Sequence, residues 1–178
     1  MRKVMLVMVG CIAATVVGVA WSQDQPAPAA TVLFDFEDEA DVKKWDAKNS
    51  EPSASTEHAT SGKGSMKLTL KGGVDFPGIY TERFPTKDWS GFKTLKFDVF
   101  ADEPMTLMMT AKDPNSKDFA SRFNKEKIEI NKGANTVAIP IADIAGKIDV
   151  KTIKSTTIFS VKLEKDPTLY LDNIRLEK

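Results

Sequence analysis

Apolar and polar residues alternate along most of the chain in short runs. In one such run Leu95, Phe97 and Val99 occupy one side, and Lys96 and Asp98 stand between them. This period of two residues predicts a half-buried antiparallel strand, because successive side chains of a strand point to opposite faces. Beyond the N-terminal region no long segment shows the 3.6-residue apolar period of an amphipathic helix.

Gly, Pro, Asn and Asp residues separate nine runs that favour strands. These runs are Thr31–Glu37, Ser65–Lys71, Gly78–Phe84, Thr94–Phe100, Met105–Lys112, Arg122–Ile130, Thr136–Ile141, Thr156–Leu163 and Thr168–Leu176. Short helical turns are predicted at Asp38–Trp45 and Ile141–Ala145, and a hairpin at Asn131–Asn135, where Gly133 is free to take a positive φ. The predicted fold class is all-β, a β-sandwich of two antiparallel sheets.

The N-terminus has the layout of a secretory signal peptide. Arg2 and Lys3 precede an apolar stretch, and small residues flank Trp21 at the cleavage-site positions. We predict a signal peptide over residues 1–22, export to the periplasm or the medium, and no membrane span in the mature chain. Two alternatives are an uncleaved anchor, for which the stretch is short, and lipid attachment at Cys11, after which the sequence stays apolar.

The remaining residues suit a linker followed by one domain. Residues 23–30 (QDQPAPAA) are rich in Pro and Ala, which predicts an extended linker. Residues 31–178 are predicted to form a single β-sandwich domain, since a chain of 178 residues with 42% apolar content can bury a sizeable core.

Charge and cysteine content restrict the chemistry. The chain has 25 basic and 25 acidic residues, and without Arg2 and Lys3 its net charge is −2. We expect no nucleic-acid partner, because nucleic-acid binding needs a clustered basic surface. Cys11 is the only cysteine and lies in the predicted signal peptide, so the mature chain would have no thiol for a disulfide, a nucleophile or a zinc site.

The inventory of catalytic residues predicts that the protein is not an enzyme. His58 is the only histidine, and no Gly-x-Ser-x-Gly elbow accompanies it, so a Ser-His-Asp system is not expected. Glycoside hydrolysis stays as an alternative because it needs only two carboxylates. No strand carries the closely spaced Glu-x-Asp-x-x-Glu acids of jelly-roll glycosidases.

Four segments in order resemble carbohydrate-binding modules of the galactose-binding-like jelly-roll superfamily. They are LFDFED at 33–38 followed by Trp45, ATSGKGSMKL at 59–68, DWSGFKTLKFDV at 88–99 and LYLDNIRL at 169–176. The resemblance covers essentially residues 31–178. It implies a jelly roll whose first and last strands lie close together, with Trp45 and Trp89 packed in the core.

The resemblance also implies a structural calcium ion where the first and last strands meet. Carried over by motif position, the side-chain ligands are Glu37 and Asp172, and Lys63 is the carbonyl donor. Calcium takes 6–8 oxygen ligands from carboxylates and carbonyls, which is consistent with this set. The alternative is that both acids are ordinary polar residues at strand ends.

A polar sheet face is the predicted ligand surface. In this class of fold, aromatic rings stack on sugars and planar polar groups bind their hydroxyls. The residues predicted to bind a ligand on this face are Tyr80, Glu82, Asp98, Lys112 and Arg122. The same side chains could instead form a cross-strand charge ladder that binds nothing.

Two functions from different classes follow. The first is an exported, non-catalytic module that binds a polysaccharide or oligosaccharide. The alternative is a structural or protein-interaction domain of the cell envelope, in which the polar face meets a protein partner and no sugar.

Overall fold

A computed structural model describes residues 30–178, which form eleven strands and two short helices. The strands are β1 (Ala30–Phe34), β2 (Asp46–Lys48), β3 (Ser50–Ser55), β4 (Ser65–Leu70), β5 (Gly78–Thr81), β6 (Thr94–Ala101), β7 (Met105–Lys112), β8 (Phe123–Ile130), β9 (Gly133–Pro140), β10 (Ser155–Phe159) and β11 (Thr168–Glu177). The helices are α1 (Glu39–Val42) and α2 (Ile141–Ala145).

The strands build two antiparallel sheets. A six-stranded sheet has the order β3-β4-β11-β6-β9, and β1 pairs with the second half of β11. A five-stranded sheet has the order β2-β5-β10-β7-β8. The prediction of an all-β sandwich with two antiparallel sheets is confirmed.

The core lies between the two sheets and follows the period of two residues. On β7 the buried side chains are Leu107, Met109 and Ala111, and on β6 the alternate apolar residues are buried in the same way. Strand β11 is central in its sheet and is buried on both faces, because Tyr170 and Asp172 are buried on one face and Leu169 and Leu171 on the other. Most strands therefore bury one face, whereas β11 buries both.

Aromatic rings close one end of the sandwich. Phe34 packs edge-on against Trp45 at 5.1 Å between ring centroids, and Phe84 does the same against Trp89 at 5.5 Å. Phe34 and Phe84 lie 6.0 Å apart and join the two pairs. Both tryptophans are buried, as the resemblance implied.

The local pattern missed β2 and β3 and misjudged one turn. Strand β3 (SEPSAS) is polar and contains Pro52, which suits the edge of a sheet, where an N–H is not required. The predicted hairpin at Asn131–Asn135 is wrong, because β8 and β9 belong to different sheets and the chain crosses between them there. Gly133 does take a positive φ of 91°.

The predicted signal peptide, Cys11 and nearly all of the predicted linker lie outside the described residues, and β1 begins at Ala30, the last linker residue. Within residues 30–178, no helix is both long and apolar enough to cross a membrane.

Candidate functional site

A row of five side chains crosses the outer face of the five-stranded sheet, one from each strand. Pairing places Tyr80 opposite Asp46 on one side and Thr157 on the other. Thr157 is opposite Thr110, which in turn is opposite Asn124. Because directly opposite residues share a face, the row is polar and points away from the core.

A cleft of about 320 Å³ lies along this row. Its walls are formed by residues from β2, β5, β10 and β7, from the loop before β5 and from the residue that directly precedes β8. They are Lys48, Phe76, Gly78, Ile79, Tyr80, Thr110, Arg122, Thr157 and Phe159. The cleft thus combines two cations, hydroxyl groups and aromatic rings.

Two aromatic side chains at the cleft are unusually exposed. Phe76 is 52% exposed and Tyr80 is 41% exposed, although large aromatic residues are mostly buried in folded proteins. The Phe76 ring packs edge-on against Phe159 at 6.0 Å, and its backbone is held at φ 53°. A residue other than glycine seldom takes such a φ, so the loop fixes Phe76 in place against its conformational preference.

A third exposed ring stands at the β8 edge of the same face. Phe119 is 55% exposed and lies under the guanidinium of Arg122, 5.0 Å from ring centroid to carbon. Asn124 accepts a hydrogen bond from Arg122 Nε at 2.9 Å and donates one to the Phe119 carbonyl at 2.9 Å. These contacts hold the arginine side chain at the cleft.

The residues predicted to bind a ligand do not all line the cleft. Tyr80 and Arg122 line the cleft. Lys112 lies two residues beyond Thr110 on the same face of β7, opposite Ser155, and Glu82 is exposed just past the end of β5. These four therefore belong to the same side of the sandwich.

Asp98 is on the other sheet, so its predicted place beside Tyr80 is wrong. It lies on β6 opposite Asp172, and its carboxylate is buried. The carboxylate accepts hydrogen bonds from the Thr136 hydroxyl at 2.7 Å, the Thr60 hydroxyl at 2.9 Å and Arg175 at 3.1 Å. Alternation along β6 gave its face correctly but could not assign β6 to a sheet, because strand pairing is non-local.

The residues implied as calcium ligands surround one turn between β3 and β4. The Glu37 carboxylate accepts the backbone N–H of Lys63 at 2.8 Å and that of Gly64 at 2.9 Å. The N–H of Gly64, followed by that of Lys63, lowers the pKa of Glu37. Asp172 Oδ2 accepts the N–H of Thr60 at 2.6 Å and that of Ser61 at 2.9 Å. Both carboxylates thus bind the turn through hydrogen bonds.

This donor set is a poor fit for calcium. Lone pairs that accept N–H donors are not available to a cation, and the N–H groups of Lys63 and Gly64 both occupy the Glu37 carboxylate. In the part of the chain that the structure describes, no three His, Cys, Asp or Glu side chains are grouped so that they could hold a metal ion. Calcium stays a prediction of the resemblance.

His58 stacks on an aromatic pair away from the cleft. Its ring lies parallel to Phe100 at 3.5 Å between centroids and edge-on to Tyr170 at 4.6 Å. The Tyr170 hydroxyl donates a hydrogen bond to Glu57 at 2.6 Å, which lowers the pKa of Glu57 and raises that of Tyr170. Among the described residues, neither a serine hydroxyl nor a cysteine thiol forms a hydrogen bond with His58.

Sequence reasoning missed Phe76, Lys48 and Phe119. The first lies in a loop and the last in a turn, so neither has a strand period that assigns it a face. One signal was present: both are aromatic residues in segments rich in Gly, Pro, Asp and Ser, where a core residue is not expected.

The two sheets, their strand order and the cleft on one outer face define a jelly-roll β-sandwich of the kind found in carbohydrate-binding modules. A family 11 module from Clostridium thermocellum, solved with a β-1,3-1,4-mixed-linked tetrasaccharide, superposes with a TM-score of 0.61 at 20% identity, covering 83% of this chain and 95% of the module. A family 30 module from a Clostridium thermocellum cellulosomal cellulase has a TM-score of 0.59 at 13% identity, with 84% and 97% covered. These likenesses establish the fold.

Larger proteins contain the same fold. An exo-β-agarase superposes with a TM-score of 0.68 at 18% identity over 82% of this chain, which spans about 25% of the agarase. No protein-family model matches the sequence, and no curated protein matches it either.

Proposed function

We propose that the protein is a non-catalytic glycan-binding module whose ligand lies in the cleft of the five-stranded sheet. One observation carries the proposal: of the three exposed Phe, Tyr and Trp side chains in residues 30–178, Phe76 and Tyr80 line the cleft, and Phe119 packs against Arg122, which also lines it. Exposed rings gathered on one face are typical of an interaction site.

The chemistry of the cleft suits a sugar. A pyranose ring presents apolar C–H groups that pack on an aromatic ring, and hydroxyls around its edge. Phe76 and Tyr80 offer rings, while Thr157 and Thr110 offer hydroxyls on the neighbouring strands β10 and β7. Sites of this size commonly combine an apolar surface with a few fixed polar groups.

The comparisons support the proposal through the fold. Several similar structures are carbohydrate-binding modules, and one was solved with a bound tetrasaccharide. We further propose that residues 1–22 direct export, which would bring the module to polysaccharides outside the cytoplasm.

Affinity gel electrophoresis tests the function. The panel contains mixed-linked β-1,3-1,4-glucan, agarose, a uronic-acid polymer and a sulfated galactan. At least one polymer should retard the protein, and Tyr80→Ala and Phe76→Ala should each weaken retardation about fivefold or more, since an aromatic contact contributes on the order of 1 kcal/mol.

Phe100→Ala is the matched control, because Phe100 is an aromatic residue on the six-stranded sheet. It should leave retardation unchanged, and thermal melting verifies that each variant is folded. If no polymer retards the protein, or if the Phe76 and Tyr80 double variant binds as well as wild type, the glycan-binding proposal is overturned and the protein-interaction alternative is favoured.

A further inference from the structure

We propose that the glycan bound in the cleft is anionic and carries carboxylate or sulfate groups. This inference rests on the proposed glycan-binding function and specifies its ligand. It derives from two cations at the cleft, Lys48 and Arg122.

The two cations stand at opposite edges of the five-stranded sheet. Lys48 ends β2, and Arg122 directly precedes β8. Four strand spacings separate these edge strands, which places their backbones about 19 Å apart. Both side chains nevertheless line one cleft, so they reach inward from its two ends. A chain of several sugar rings lying across the strands would meet a positive charge at each end.

Aromatic rings, not carboxylates, hold both cations. Lys48 Nζ lies 5.6 Å from the centroid of the Phe76 ring, and the Arg122 guanidinium lies 5.0 Å from that of Phe119. In residues 30–178, neither cation has a carboxylate oxygen within 4.0 Å, whereas Lys67, which lies over the Tyr170 ring, also pairs with Glu57 at 3.8 Å. A ring positions a cation and leaves its charge available, while a carboxylate would cancel it.

The acids near the cleft do not line it; Glu126 and Asp143, which share a neighbouring depression with Arg122, lie outside the cleft. Among the described residues, none of those lining it is acidic. Asp46 is the closest acid in the row across the sheet, and it pairs with Arg83 at 3.1 Å. Glu82 lies beyond the end of β5. Within the described part of the chain, the only charged side chains that line the cleft are therefore the two cations at its ends.

The hydrogen-bonding groups of the cleft also favour an anionic ligand. Lysine and arginine side chains only donate hydrogen bonds, and the remaining polar side chains of the cleft carry hydroxyls, which can donate or accept. Sugar hydroxyls need both donors and acceptors, but carboxylate and sulfate groups only accept. Charge-assisted bonds to such groups are also the stronger kind. The lining therefore matches a polyanionic glycan better than a neutral one.

Paired polymers that differ only in charge test the inference. Polygalacturonate is compared with its methyl-esterified form, and κ-carrageenan with its desulfated form, by affinity electrophoresis and by calorimetry in 0.05 M and 0.5 M NaCl. The first pair tests the carboxylate and the second the sulfate. We expect at least one charged polymer to bind on the order of tenfold or more tightly than its neutral partner, with much of the difference lost in high salt.

The double variant Lys48→Gln with Arg122→Gln should lose the preference for the charged polymer. The charge-matched control is Lys93→Gln with Lys151→Gln, two exposed lysines outside the cleft. Equal binding of charged and neutral polymers overturns this inference and leaves the glycan-binding function in place. Equal loss in the control pair also overturns it, since general attraction would then explain binding. If mixed-linked glucan or agarose retards the protein but none of these four polymers binds, the inference is overturned and the function stays. If no polymer of either panel binds, the function itself is overturned.

Discussion

Asp113 shows how one buried carboxylate fixes a loop at the end of β7. It accepts the N–H of Asp149 at 3.0 Å, the N–H of Asn115 at 3.0 Å and the hydroxyl of Ser116 at 2.7 Å. The Asp149 N–H is the main cause that lowers the pKa of Asp113 below its ordinary value of 3.8. The charged form is thus the one that the fold stabilises.

This shift predicts a loss of stability in acid. A carboxylate whose pKa is lowered by folding contributes stability above its unfolded pKa and loses it as the pH falls through the folded value. We expect the melting temperature of the wild-type protein to decrease when the pH is lowered below about 4. The Asp113→Asn variant should have a lower melting temperature than wild type at neutral pH, and its melting temperature should decrease less in acid. Parallel curves would mean that Asp113 contributes nothing to acid sensitivity.

Asp98 provides a second test at the level of single residues. Its carboxylate pairs with Arg175 at 3.1 Å, and both side chains are largely buried. Removing one partner leaves the other charge buried, which costs about 3–5 kcal/mol. Asp98→Ala should therefore lower the free energy of unfolding in urea by about that amount, while the exposed control Asp102→Ala should change it little.

The same variant separates structure from ligand binding. Because Asp98 lies on the six-stranded sheet, the folded fraction of Asp98→Ala should bind glycan with wild-type affinity. A specific loss of glycan binding at full folding would return Asp98 to the ligand site, as the sequence predicted.

The turn between β3 and β4 packs closely against the backbone of Phe36 and Glu37. A Cβ on Gly64 would lie 2.2 Å from the carbonyl oxygen of Phe36 and 2.8 Å from the Cα of Glu37, and neither is a flexible side-chain end. Gly64→Ala should destabilise the fold by about 1–3 kcal/mol. Gly91→Ala is the matched control, since no neighbouring atom comes within 4 Å there. Equal melting temperatures for the two variants would contradict the close approach.

Calcium can be tested at the junction of β1, β11 and this turn. The N–H groups that occupy Glu37 and Asp172 lead us to expect that millimolar calcium leaves the melting temperature of the purified protein unchanged. An increase with calcium that is absent in Asp172→Ala would instead support the ion implied by the resemblance, because a ligand that binds only the folded state stabilises it.

Elements with a strong local pattern were predictable. Strand β7 has the predicted bounds Met105–Lys112, and α2 has the predicted bounds Ile141–Ala145. The three-residue strand β2 has too few residues to show a period. Local sequence also could not show that the chain changes sheets after β8, since a hairpin and a crossover can use the same Gly-containing turn.

On the scale of the whole molecule, the candidate site could be predicted only in part. Tyr80 and Arg122 are more than forty residues apart in sequence, and pairing through β10 and β7 brings β5, which carries Tyr80, into one sheet with β8, which Arg122 directly precedes. Phe76 joins them through a loop with an unfavourable φ. Such a site depends on strand order and loop geometry, neither of which has a local sequence signal.

The pairing of β1 with β11 makes the first and last strands of residues 30–178 neighbours. Ala30 is directly opposite Glu177, so the ends lie about 5 Å apart, on the sheet that does not carry the cleft. A short peptide could join Lys178 to Ala30, and new ends could open at the exposed Gly91. This circular permutant should fold with the cleft intact, and residues 30–178 could be grafted into a surface loop of a host protein with the cleft still facing outward.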